Sequence, residues 1–208
     1  MMSENFFNQT EFEIRCEWGM AGVTHLAPIS DVVIIVDVLS FSTAVEIATS
    51  RGAIVYPYRG DDAEIYAQEI GAILAAKPGR SGYSLSPSSL IDIEADTLLV
   101  LPSPNGSTLT LGTGNTPTLA GCLRNYTAVA QAAMGYGSNI AVIPAGERWL
   151  DESRSLRPAY EDWIGAGAII SQLSGSLSPE ARAARAAFLD IASQGELEEL
   201  LRASGSGK

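Results

Sequence analysis

The 208 residues include 24 Asp and Glu against 13 Lys and Arg, a net charge of −11, with 46% hydrophobic and 18% charged residues. That balance excludes a duplex-binding face, which needs cations to displace counterions, and it excludes a disordered chain. One histidine, His25, and two distant cysteines, Cys16 and Cys122, exclude multi-histidine zinc sites and disulfide scaffolds.

The N-terminal segment MMSENFFNQTEFEIRCEW is acidic and has no basic stretch or long apolar stretch. Neither a signal peptide nor a membrane span is expected, and two lone cysteines fit a reducing, cytoplasmic setting. Within it, Glu11–Trp18 alternates apolar and polar residues, as a half-buried strand does, and is a candidate antiparallel edge. A loop with Gly19, Gly22 and Pro28 is expected next. Val32–Leu39 (VVIIVDVL) reads as a strand covered on both faces. Ser42 or Thr43 is placed to cap a helix from Ala44 to Ser50, with Gly52 ending it. Ile54–Tyr58 reads as a strand, and AEIYAQEIGAILAA, from Ala63 to Ala76, as a helix. Lys77–Leu90 is a long Gly, Ser and Pro loop, which at that length suggests function. Thr97–Leu101, Thr116–Leu119 and Asn139–Pro144 read as strands, with a helix over Asn125–Met134. Tyr160–Leu173 is a further helix. Ser178–Pro179 caps and opens the next, and Gly195 divides it from a short last one.

Strands alternate with helices from Val32 onward. The expected fold is therefore a single α/β domain over 1–208, with a mostly parallel sheet and helices on both faces in three layers. In such sheets ligands bind outside the carboxyl ends of the strands. Those ends carry Asp37, Ser40, Ser42 and Thr43; then Ser103, Asn105, Gly106, Ser107 and Thr108; then Cys122, Arg124 and Asn125; then Glu147 and Arg148.

Asp37 ends an apolar run, where an ionised carboxylate needs a partner, hydrogen bonds or a metal. It reads as a magnesium ligand or acid/base group, or else as a brace for the following helix. Pro104–Thr108 is a Gly-bearing turn whose amides and hydroxyls suit an anion, although a plain Asn-Gly turn with a cap has the same letters. Glu161 and Asp162 open an otherwise apolar helix. They either complement its dipole or complete an oxygen-ligand magnesium site with Asp37. Arg148, Arg154 and Arg157 offer forks for anions, or pair with nearby acids. Cys122 reads as packing rather than a nucleophile, His25 as a loop or core residue, and the terminal GSGK lacks the strand and helix of a phosphate loop.

VDVLSFST (36–43), SGYSLSPS (81–88), PNGST (104–108), AGCLRN (120–125), AGERW (145–149) and EDWIGAGAI (161–169), in this order, resemble the 2-phosphosulfolactate phosphatase family. The resemblance implies an α/β, magnesium-dependent acid phosphatase acting on a small anionic phosphoester. It implies Asp37 and Glu161 as catalytic residues, with Asp37, Glu161 and Asp162 around the metal. It implies contact of Asn105, Gly106 and Ser107 with the substrate, and the strand-end and loop positions add Ser40, Ser42, Thr43, Thr108, Asn125, Arg148 and Arg154 as substrate-binding candidates. Two departures stand out. The family pattern has an arginine and then small residues where this chain has Ser40 and Phe41, and threonines where it has Ser103 and Pro104. The closing ASGSGK resembles the start of the family's final glycine motif, so a few further C-terminal residues are expected in the full protein.

The alternatives are a homologue that binds an anionic metabolite without turnover, which the Ser40–Phe41 departure favours, and an interaction subunit acting through its acidic surface. No membrane or nucleic-acid partner is expected, and the apolar content leaves room for a homodimer face. With net charge −11 the long-range field repels an anionic substrate, so capture must be local.

Overall fold

The run Val32–Val36 owes its continuous hydrophobicity to its position between two buried layers. Successive strand side chains point to opposite faces. Val32, Ile34 and Val36 enter one buried cluster and Val33 and Ile35 another, so no position in the run is left polar. The computed structural model describes residues 9–77 and 82–204. Its strands are β1 (Ile14–Cys16), β2 (Val32–Val36), β3 (Ile54–Tyr58), β4 (Ile73–Leu74), β5 (Leu98–Pro102), β6 (Thr118–Gly121), β7 (Ile140–Pro144), β8 (Glu147–Arg148) and β9 (Leu156–Arg157). Its helices are α1 (Gly19–Leu26), α2 (Phe41–Ser50), α3 (Ala63–Glu69), α4 (Gly106–Gly112), α5 (Tyr126–Met134), α6 (Tyr160–Ile170), α7 (Pro179–Gln194) and α8 (Leu197–Ala203). Residues 78–81 of the expected loop and the terminal GSGK, 205–208, lie outside the described residues.

Four parallel strands form one sheet in the order β1-β7-β2-β6, and three form a second parallel sheet, β3-β5-β4. β8 and β9 make a small antiparallel ribbon. The α/β class with mostly parallel strands is as expected. Helices α5, α6 and α7 cover one face of the first sheet, and α1 and α4 the other. Phe41, Ala44 and Ile47 of α2 pack with Leu99 and Leu101 of β5 in a third cluster.

Four details correct the sequence reading. The edge strand β1 runs parallel to β7, not antiparallel, because the chain crosses over through α1 before entering β2. Gly19 to Leu26 is a helix, not a loop, and it buries Val23 and Leu26 beneath β2 and β7. Gly22 fits because a Cβ there would lie 2.6 Å from the Glu17 carbonyl oxygen. The helix expected to reach Ala76 stops at Glu69, since Gly71 adopts φ +67° and Ile73–Leu74 then pair with Leu99–Val100 as β4. Helix α2 begins at Phe41, so Ser42 and Thr43 lie inside it and not at its cap.

Ser178 caps α7 as its sequence suggests, accepting from the Ala181 amide, and Gly195 closes it in the left-handed conformation. Helices α6 and α7 cross closely at Gly167, where a Cβ would sit inside the Ala184 carbonyl oxygen and against Phe188. Gly167→Ala is therefore expected to push the helices apart and to cost about 3 kcal/mol, the upper range for overpacking. A urea midpoint within error of the wild type would contradict that packing.

Candidate active site

Asp37 follows the last residue of β2 and is only 7% exposed. The chain turns directly into α2, and this turn supplies its partners. Ser40 Oγ donates to Asp37 Oδ1 at 2.7 Å and the Phe41 amide donates to the same oxygen at 3.3 Å. The Gly106 amide, bonded to Ser103 Oγ at 3.1 Å, also faces the carboxylate. Burial raises the Asp37 pKa above the ordinary carboxylate value, and these donors oppose the rise.

Asp162, on the first turn of α6, is 4% exposed and spends both oxygens on backbone. Oδ1 accepts from the Val38 amide at 2.8 Å and Oδ2 from the Gly146 amide at 2.9 Å. It thus ties the end of β2 to the end of β7. Burial, and then the charge of Asp37, push its pKa well above the usual carboxylate range. Glu161 is 5% exposed, and its pKa is also raised. Burial is the main cause, Glu147 and Asp37 add to it, and Arg157 opposes it. Three acids from two strand-to-helix turns therefore feel one another's charge. Such a cluster is costly to the fold and typical of a functional site.

Asp162→Asn is expected to destabilise the protein. The side-chain amide can accept only one of the two backbone N–H groups and turns its own N–H toward the other. The unmatched donor costs about 1–3 kcal/mol, more than the relieved charge returns. Unchanged urea unfolding at pH 7 would remove the brace role.

Arg157, from β9, pairs with Glu147 at 2.9 Å and lies over the Trp149 ring at 5.5 Å. Arg148 donates to the Arg154 carbonyl at 3.2 Å. Beside the acids, a cavity of about 140 Å³ is lined by Gly19, Met20, Ala21, Pro104, Asn105, Thr108, Leu109, Ala145, Arg148 and Leu156. Of the residues expected on the substrate, Asn105, Thr108 and Arg148 line this cavity, while Ser40 and Gly106 face Asp37.

Others serve the chain instead. Ser42 and Ser107 are fully buried and donate to the carbonyls of Ile35 and Leu101, at 2.9 and 2.7 Å. Thr43 donates to the Val38 carbonyl. Asn125 accepts from the Cys122 amide at 2.8 Å and donates to the Ala120 carbonyl at 3.0 Å. These four side chains brace the turns they sit in. Arg154 is exposed at φ +47° and meets Arg148 through its carbonyl only. Cys122 is buried, and His25 is exposed on the last turn of α1.

Sequence reasoning missed the Val38 and Gly146 amides and the α1 turn in the cavity wall. The pairing of Arg157 with a nearby acid is as expected, with Glu147 as the partner. Backbone donors leave no signal in the letters except the adjacent glycine.

Among the described residues, no group of three or more His, Cys, Asp or Glu is arranged to hold a metal ion. Magnesium, which keeps several waters and takes one or two carboxylates plus substrate oxygens, fits this donor set better than a caged metal would. Such an ion would be left to Asp37 and Glu161, because Asp162 has both oxygens bonded already.

Fold and site together define an α/β protein with a carboxylate-and-amide site at the carboxyl ends of its parallel strands. The profile of the 2-phosphosulpholactate phosphatase family matches residues 21–208, and the chain belongs to that family. It is 30% identical over 167 residues to a curated 2-phosphosulfolactate phosphatase of Methanothermobacter thermautotrophicus, covering 77% of this chain and 69% of that protein. No helix among the described residues is long and apolar enough to cross a membrane.

Proposed function

We propose that the protein is a magnesium-dependent phosphatase that hydrolyses a small phosphorylated acid resembling 2-phosphosulfolactate. The observation that carries this reading is the buried Asp37, held by Ser40, Phe41 and Gly106 and linked by charge to Glu161 and Asp162, with Asn105, the neighbour of Gly106, lining an arginine-bearing cavity. Magnesium held by Asp37 and Glu161 would supply neutralisation of the phosphoryl charge. The Gly106 turn and Asn105 orient the phosphoryl group, and Arg148 offsets the repulsion of an acidic protein for its substrate. Water forms the new bond to phosphorus as the ester P–O bond breaks. The water proton passes to the Glu161 carboxylate, and the departing alkoxide takes a proton from solvent.

One observation favours a second reading, a binding protein without turnover. Ser40 Oγ already satisfies Asp37 where the family pattern has an arginine. Phosphate release from 2-phosphosulfolactate, phosphoglycolate and phosphoenolpyruvate, with magnesium and with EDTA, separates the two. Release that falls at least 100-fold in EDTA is expected, together with a thermal midpoint raised by magnesium alone. No release above an Asp37→Asn control across the panel would leave the binding reading.

A further inference from the structure

The cavity beside the acids is lined from the hairpin by Leu156, where β9 pairs with β8. Leu156 is 36% exposed, yet it is tightly seated. A Cβ on Gly146 would lie 2.7 Å from Leu156 Cδ1, and one on Gly19 would lie 3.3 Å from the same methyl. Both glycines have positive φ, +68° and +55°. The turns leaving β7 and entering α1 therefore use glycine where the Leu156 methyls approach, and the side chain sits in the notch between them. The remaining space, about 140 Å³, ends at Arg148 and Asn105. The Asn105 side chain makes no bond to the amides of the helix it precedes, which leaves its carboxamide for the cavity. A cavity of roughly 150 Å³ accommodates about six heavy atoms, the size of benzene.

We infer that Leu156 is the specificity-determining wall of this cavity, setting how long a chain the substrate can carry beyond its phosphoryl group, with a second anion meeting Arg148. This rests on the phosphatase reading for the position of the phosphoryl group. The wall argument itself depends only on the cavity. Shortening Leu156 opens space, because the two turns that meet its methyls are held in positive-φ glycine conformations.

Binding of non-hydrolysable phosphonates, followed by calorimetry, tests the wall without turnover. The probes are phosphonoacetate, 3-phosphonopropionate and 5-phosphonopentanoate. The wild type is expected to bind the longest at least tenfold more weakly than 3-phosphonopropionate. Leu156→Ala should bring the two within about threefold, and Leu156→Phe should weaken even phosphonoacetate. Arg148→Met should remove the preference for 3-phosphonopropionate over propylphosphonate. A chain-length profile that Leu156→Ala and Leu156→Phe both leave unmoved, each folded by its thermal transition, overturns the proposal. So does a wild type that binds none of the probes. Phosphate release with an unmoved profile sinks the wall and keeps the phosphatase. A profile that shifts as expected with no release from any ester sinks the phosphatase and keeps the wall.

Discussion

Asp37→Asn is expected to abolish phosphate release, by at least 10³-fold in kcat, and at neutral pH to make the protein more stable. The two effects share a cause. Asp37 is a buried carboxylate whose pKa is raised by burial, and its charge in turn raises that of Asp162. Asparagine keeps an oxygen in the place of Oδ1, where both Ser40 Oγ and the Phe41 amide donate, so the turn retains its hydrogen bonds. It loses the charge, and the Gly106 amide then faces a neutral carboxamide. The contrast with Asp162, both of whose oxygens accept amides, is why the same change there should destabilise. A gain of about 1 kcal/mol is the usual size when a functional site is relieved of strain.

The pH dependence has a definite sign. Between the ordinary carboxylate pKa and the raised folded value, the native state holds more protons than the unfolded chain, so stability falls as pH rises. Above the folded value the penalty is complete. In EDTA, the stability difference between Asp37→Asn and wild type should therefore be small at pH 4 and grow toward pH 7. Urea titrations across that range check it. A difference independent of pH would mean that Asp37 is not a charge the fold resists.

The strands were legible in the sequence because burial on both faces forces an uninterrupted apolar run: β5 and β7 lie within a residue of where those runs predict, and β2 starts as expected but ends at Val36, three residues before Leu39, where the chain turns into α2. The acids were legible for a related reason, since a carboxylate beside such a run has few bland explanations. What the letters did not separate was hydroxyls serving a ligand from hydroxyls serving the chain. Ser40 and Ser42 are two residues apart, yet one donates to the Asp37 carboxylate while the other bonds only backbone, the Asp37 amide and the Ile35 carbonyl, and only the turn geometry decides which. Helix α1 was hidden because Gly19 and Gly22 read as breakers. In the fold one opens a turn beneath Leu156, and the other admits the close approach of Glu17. The split into two sheets was also illegible, since β4 is a two-residue strand inside a segment with helical composition.

Gly106→Ala should be among the most damaging single substitutions in the site, and its cost should depend on Phe41. A Cβ at Gly106 would fall inside the Phe41 ring, against Cγ, Cδ1 and Cβ together. The ring cannot retreat, because it is 1% exposed and packed in a cluster with Leu90, Leu99 and Leu101. The added methyl must instead displace the first turn of α4, at a cost of about 3 kcal/mol. That turn carries the Gly106 amide facing Asp37, and Asn105 and Thr108 in the cavity wall. A shift of about 1 Å in such groups lowers rates on the order of 10²-fold. Phe41→Leu alone should cost less than Gly106→Ala, since it trades a ring for a smaller apolar group in the same cluster. The double variant should recover at least 1 kcal/mol relative to the sum of the singles, the coupling expected of residues in direct contact. Rate should recover with stability if the clash alone displaces the turn. Additive stabilities would show that α4 is held by something other than this contact. Recovered stability without recovered rate would show that the Phe41 ring itself sets the geometry at Asp37.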